Sequence, residues 1–475
     1  MNQRMDDTLV PRSADRSGNP QSRDNASTPA PPLWRTFATF LAPMVLANVL
    51  QALSATLNTV FVGQMLGTHA LAAVSSVFPA VFFLISLVIG IGSGASVLIA
   101  QAWGAGESHK VKAIAGTALM LCLALACSVA VLGWGFSDAL VGLLHAPADV
   151  HAEAVAYARL MMLAMPAMLC CILVTQMLRG VGDTVTPLIA LVVSSLVSCA
   201  LTPAFIRGWA GLPRLGASAA AAASIVSYVV ALGCLAALLR RGSHPMAPDR
   251  EFLRVLSFDL RILRLVLRIG LPAGIQSIVI SAAQIVLMAF ANRFGAEASA
   301  AAGAVNQIAN YVQFPALSIA ITASILGAQA IGAGRHDHLR DIVRTGLWMN
   351  VVVTGALVLL AMLFAKPLLG AFSANAAVVE KAADLLRLLS ASIVVYGAAL
   401  VLAGVMRASG FVVVPTLIAV GVVLAVEVPA AYVLSGRFGL RGVWMAYPVA
   451  FCTMLALQAI CYTRVWLTKR VDRLV

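Results

Sequence analysis

Long apolar runs, separated by short polar, glycine-bearing or arginine-bearing stretches, set the layout of this chain. They extend over Trp34–Val62, Leu71–Trp103, Ala113–Phe136, Val155–Leu178, Pro187–Phe205 and Ala217–Leu239. A second series covers Leu263–Ala291, Ala298–Ile331, Ile342–Phe364, Ala382–Met406, Val412–Leu434 and Val443–Trp466. Each suffices for the roughly 20 residues that a helix needs to cross the hydrocarbon core. The pattern therefore predicts an all-α integral membrane protein with twelve transmembrane helices.

Polar side chains inside these runs cost free energy at bilayer depth unless they face protein or water. Asn48, Gln51 and Asn58 are spaced to share one face of the first helix, and Gln276 and Gln284 share one on the seventh beside Ser277 and Ser281. Asn306, Asn310 and Gln313 form a stripe on the eighth. These stripes outline an internal cavity, although hydrogen bonds between helices explain any single amide equally well. Glu427, in Val426-Glu427-Val428-Pro429, is a carboxylate with apolar neighbours on both sides. A charge there costs about 2.5–3.5 kcal/mol on insertion scales, so it calls for a partner, a wet cavity or a proton. Pro429 is placed to kink the helix beside it.

The two series are copies. Ala95-Ser96-Val97-Leu98-Ile99-Ala100-Gln101-Ala102-Trp103-Gly104-Ala105-Gly106 returns 228 residues later as Ala323-Ser324-Ile325-Leu326-Gly327-Ala328-Gln329-Ala330-Ile331-Gly332-Ala333-Gly334. Arg159 and Arg387, Arg179 and Arg407, Gly182 and Gly410, and Pro187 and Pro415 keep the same offset. Six spans per copy return the chain to its starting side, so the repeats are parallel, related by an axis along the membrane normal, as in transporters. The expected division is a disordered cytoplasmic tail over 1–32, a six-helix lobe over 33–240, a basic cytoplasmic linker over 241–262, a second lobe over 263–468 and a cytoplasmic tail over 469–475. Arg254, Arg261, Arg264 and Arg268 suit an amphipathic surface helix leading into the seventh span.

Composition agrees with a bilayer protein: 61% of residues are hydrophobic and 11% charged, against about 45–50% and 25% in soluble domains. The net charge of +13 reflects topology rather than nucleic-acid binding. With both termini cytoplasmic, about 23 Lys and Arg fall inside and about 7 outside. The eight cysteines lie within apolar runs without metal-ligand spacing and are expected to be small buried hydrophobes. No Walker A loop or metalloenzyme spacing is present, so ATP-driven transport and hydrolysis lack support, and neither enzyme activity nor a cofactor is expected. Gly90-Ile91-Gly92-Ser93-Gly94 reads as close helix packing rather than a phosphate cradle.

Three segments resemble the multidrug and toxic compound extrusion (MATE) family. They are Asn58-Thr59-Val60-Phe61-Val62-Gly63-Gln64-Met65-Leu66-Gly67 with Ala70-Leu71-Ala72-Ala73-Val74, the Gln-Ala-x-Gly-Ala-Gly loops at Gln101 and Gln329, and Leu178-Arg179-Gly180-Val181-Gly182-Asp183-Thr184-Val185-Thr186-Pro187. The resemblance covers roughly residues 33–468 and implies two six-helix lobes around a central cleft. It implies a secondary exporter of amphipathic, often cationic, organic compounds by alternating access, coupled to H+ or Na+. A monomer in a bacterial inner membrane is the expected setting. The alternative is a flippase for lipid-linked saccharides or other lipids, for which inward-facing Arg or Lys would be required.

The chain departs from the family where coupling carboxylates are expected. Asn58 stands where prokaryotic members usually have Asp on the first helix, and Thr202-Pro203 stands where the proton-coupled branch has Asp before Pro. The acidic positions of the sodium-coupled branch fall on Ile280 and Tyr396. Glu427 and Asn58 are therefore the ion-coupling candidates: Glu427 as the group to which coupling has moved, and Asn58 as a group that offers a carbonyl oxygen to a sodium ion or is retained for solvation or gating. The cavity candidates are Asn48, Gln51, Gln276, Gln284, Asn306, Asn310, Gln313 and Tyr396. In the loops, Arg179, Asp183 and Arg407 are candidate gating groups: Asp183 or Thr184 is placed to cap the fifth helix, and Arg179 to pair with Asp183. Neither coupling position has a repeat equivalent: Asn58 falls opposite Val286, and Glu427 opposite Leu201 when Pro203 and Pro429 are matched.

Overall fold

The computed structural model describes residues 32–144, 149–211, 213–242, 244–249, 252, 258–370, 375–469 and 471–475. Its elements are helical. The first helical stretch, Leu33–Gly104, has 72 residues, about 108 Å at 1.5 Å per residue and far more than one bilayer crossing. It is two spans broken at Gly67, whose φ of 84° and ψ of −172° are not helical. Only glycine adopts that backbone without strain. Gly295, one repeat later, has φ 95° and ψ 177° and starts the eighth helix.

The twelve spans are α1 (33–66), α2 (68–104), α3 (Ser108–Gly135), α4 (His151–Gly180), α5 (Val185–Arg207), α6 (Gly216–Arg241), α7 (Leu260–Asn292), α8 (Ala296–Gly332), α9 (His338–Leu363), α10 (Ala376–Ala408), α11 (Val413–Phe438) and α12 (Leu440–Trp466). The repeat relation extends to backbone conformation. Gly106 and Gly334 have φ 75° and 72°, and Gly182 and Gly410 have φ 95° and 77°. These glycines turn the chain after α2, α8, α4 and α10, where the left-handed region ends a helix.

Exposed Leu, Val, Ile and Phe side chains on the outer surface suit contact with lipid. The lobes meet through equivalent pairs of helices. On one side Gly90 and Gly94 of α2 pack against backbone atoms of Val266, Gly270 and Gly274 on α7, where a Cβ on either glycine would collide. This is the small-residue helix packing expected of the glycine-rich run. On the other side the Asn48 amide of α1 donates to Ser318 Oγ of α8 at 3.2 Å.

Two expectations change in detail. Asp259 caps α7 by accepting from the backbone N–H of Arg261 and Ile262 at 2.8 and 3.3 Å. Arg261, Arg264 and Arg268 thus ride on the first turns of the spanning helix, which reaches back into the expected linker, rather than on a separate surface helix. Cys127 and Cys452 are exposed on the outer surface, not buried. Arg250, Arg254 and the segment 1–31 lie outside the described residues.

Candidate functional site

In the second lobe, Gln284 of α7, Asn306, Ala309, Asn310 and Gln313 of α8, Leu389 of α10 and Tyr447 of α12 enclose a cavity of about 70 Å3. Four of the amides expected from the sequence converge here because α7 and α8 turn their polar stripes toward each other. Asn48, Gln51 and Gln276 do not line it: Asn48 joins the lobes, Gln51 is exposed and Gln276 is half-buried.

Glu427 is 5% exposed, and no Lys, Arg or His among the described residues forms an ion pair with it. It ends a π-helical turn, Val423–Glu427, just ahead of Pro429. Proline removes a backbone donor, and the wider turn absorbs the mismatch; such turns recur at functional sites. The turn that ends at Glu427 packs against α12, the helix that carries Tyr447. Tyr396 stacks on Phe451 with ring centroids 4.5 Å apart. Tyr447, on the same helix as Phe451, lines the amide cavity. Sequence reading missed Tyr447 because nothing in its apolar run marks it as facing the cavity.

Asn58 belongs to a separate network in the first lobe. Its amide donates to Ser198 Oγ at 3.1 Å, and its carbonyl oxygen accepts from Thr202 Oγ1 at 3.0 Å. The two positions where family carboxylates are expected are thus in direct contact as a neutral amide and hydroxyl. Neither exchanges a proton near neutral pH.

One end of the bundle, here the basic end, carries the α2–α3, α4–α5, α6–α7, α8–α9 and α10–α11 connections and the residues after α12. Arg179 does not pair with Asp183 there; its guanidinium donates to Gln176 Oε1 at 2.8 Å. Asp183 instead caps α5, its Oδ1 accepting from the N–H groups of Val185 and Thr186 at 3.1 and 2.9 Å. Arg407 keeps a buried Nε without a hydrogen-bond partner among the described residues.

The closure of this end is carried by residues that sequence reading treated only as loop motif. Gln101 Nε2 donates to the Ala408 carbonyl at 2.7 Å, and Gln329 Nε2 donates to the Gly180 carbonyl at 3.0 Å. Both donors and both acceptors are related by the 228-residue offset, so each lobe holds the other through the same bond. Gly104 and Gly332 sit against the backbone of Gln329 and Gln101, leaving no space for a Cβ on either glycine. The available signal was the exact recurrence of a long amide side chain in an otherwise apolar segment.

The MatE family model matches residues 43–204 and again 272–433. The probable multidrug resistance protein YoeA of Bacillus subtilis (strain 168) is 40% identical over 447 residues, covering 94% of this chain and 96% of that protein. A protein of Shewanella oneidensis named as an FAD transporter is 26% identical over 87% of this chain and 89% of its own length. Among solved structures, the MATE transporter VcmN of Vibrio cholerae superposes with a TM-score of 0.84 at 20% identity, covering 92% of this chain and 98% of that one.

Proposed function

This chain belongs to the MatE family, a family of membrane transporters, and from that premise we propose that it exports amphipathic organic compounds, cationic ones among them, by alternating access. The observation that carries the reading is the second-lobe cavity: neutral amides and Tyr447 line it, the helix of Tyr447 packs against the turn that carries the buried Glu427, and no Lys or Arg among the described residues contributes to its wall. An organic cation finds hydrogen-bond acceptors and a nearby negative charge there. A lipid pyrophosphate finds no counter-charge, which disfavours the flippase alternative. The relative named for multidrug resistance supports the same cargo class.

Coupling to an inward H+ or Na+ flux is assigned to Glu427. The Asn58–Thr202 pair is neutral, whereas Glu427 is a buried carboxylate in the second lobe with no ion-pair partner among the described residues. The arginine-rich basic end is assigned to the cytoplasmic face of a bacterial inner membrane by the distribution of positive charge. The working unit is the monomer, with small organic substrates and bilayer lipid as its partners and no nucleic acid.

The test is accumulation of several cationic dyes in cells overproducing the protein, with and without a protonophore and with sodium replaced. Lower accumulation that returns to the control level on collapse of the coupling gradient is expected. Unchanged accumulation of every dye at verified protein levels would overturn the export reading.

A further inference from the structure

The repeat symmetry of the basic end is broken over Gly410, where the residues after α12 fill the gap. In the first repeat the surface over Gly182 is covered by Phe40 of α1, whose ring would lie 3.3 Å from a Cβ at that glycine. The equivalent of Phe40 is Arg268, which is exposed and leaves the surface over Gly410 free. Leu474 occupies it instead, its Cδ1 2.8 Å from a Cβ position on Gly410. Its backbone N–H also donates to Gln101 Oε1 at 2.9 Å. The equivalent atom, Gln329 Oε1, is buried without a partner among the described residues. Thus only one of the two cross-lobe glutamines is held at both ends of its amide, and the second hold comes from a segment 373 residues away.

We propose that residues 471–475 form a latch that keeps the basic end closed by holding Gln101 in its cross-lobe bond, and that the latch must lift before this end can open. Phe40 is part of a spanning helix and moves only with its lobe. Leu474 lies on a strap outside any helix, anchored at its near end by Trp466 Nε1 donating to Ser409 Oγ at 2.8 Å and by Lys469 Nζ lying 4.5 Å from the Phe411 ring centre. Beyond that anchor, Val471, Leu474 and Val475 are only half-buried against the core. A cavity of about 330 Å3 lies between the strap and His336, Leu339 and Arg340 at the start of the α9 region. The strap can therefore detach without opening a packed core. Gln101 would then lose the bond that orients its amide toward the Ala408 carbonyl, and the reciprocal clasp would be left with Gln329 alone.

The inference rests on the alternating-access reading above, and its test has one arm that needs no known substrate. In a variant lacking native cysteines, Ser96→Cys on α2 reports access from the basic end to a site that is 8% exposed in the closed form. Replacing residues 471–475 with a Gly-Ser stretch of equal length should raise its labelling by a membrane-impermeant maleimide about tenfold, on the scale of one hydrogen bond and one half-buried leucine. Unchanged labelling overturns the latch.

The second arm uses Gly410→Cys with Leu474→Cys. The Leu474 Cγ lies 3.4 Å from a Cβ position at Gly410, within reach of a disulfide. Oxidation should reduce dye export about tenfold or more, and reduction of the same sample should restore it, which separates latching from misfolding. Full export with the disulfide formed overturns the proposal. Absence of export in every form, parent included, fails the export reading while leaving the labelling comparison intact.

Discussion

Adding one methyl group at the crossing of the two lobes tests whether the basic end is a gate. An alanine at position 104 places its Cβ against the Gln329 backbone, and one at 332 places it against the Gln101 backbone. No rotamer change relieves either contact, because the opposing atoms are main chain in the last turns of α2 and α8. Forcing an extra methyl into such a contact costs about 1–3 kcal/mol. If the cost falls on the closed arrangement alone, the closed-to-open ratio drops about 5- to 150-fold. The two substitutions share one crossing, so the double variant should fall short of the sum of the single effects. The assay is maleimide labelling of Ser96→Cys from the basic end, with Gly106→Ala as the control. Gly106 has φ 75° and nothing within 4 Å of its Cβ position, so alanine there strains the backbone by about 1–2 kcal/mol without touching the other lobe. Labelling of the Gly104→Ala and Gly332→Ala proteins within twofold of the parent and of Gly106→Ala would refute the gate assignment.

Glu427→Gln keeps the shape of the side chain and removes its charge, so gradient-driven dye export should fall to background at normal protein levels; retained export would move coupling elsewhere. Asn58→Ala takes the acceptor from Thr202, which is fully buried, and should destabilise the first lobe by about 1 kcal/mol, seen as a lower melting midpoint in detergent. Gln101→Leu should open the basic end more than Gln329→Leu, because Gln101 uses both ends of its amide whereas Gln329 Oε1 has no partner among the described residues; equal labelling of the two variants would contradict this. Asp249 is held below the ordinary carboxylate range by the N–H of Phe252 and then by the Lys112 ammonium 2.9 Å away. Its tie to α3 is therefore fully present above the ordinary carboxylate pKa and is lost as pH falls through the depressed folded value. Amide exchange of the segment around Asp249 should accelerate in acid, beyond the intrinsic pH dependence, and less so in Lys112→Met, which keeps only the Phe252 N–H bond to the carboxylate.

Much of the frame was legible because a bilayer permits few solutions. Backbone groups that cannot reach water must bond within their own helix, so twelve apolar runs imply twelve helices, and an even number per copy implies parallel repeats. The turn glycines were visible for a related reason: Gly106, Gly182, Gly334 and Gly410 occupy left-handed backbone that side-chain-bearing residues avoid. The convergence of Gln284, Asn306, Asn310 and Gln313 was also suggested by their helical spacing. Periodicity did not reveal that Asn48 joins the lobes while Asn58, on the same helix, bonds to α5. A shared face specifies a direction in each helix, not the partner that stands there.

The sequence by itself determined how many helices there are, how the copies are oriented and which polar groups must be accounted for within the membrane. The tertiary structure alone decided which of them meet: Thr202 on Asn58, Gln101 on the Ala408 carbonyl and Leu474 on Gln101. The last two contacts join residues 307 and 373 positions apart. The physical reason is that local pattern governs a helix and the side it buries, whereas these contacts depend on the rotation and crossing of whole helices, set by packing summed over both lobes.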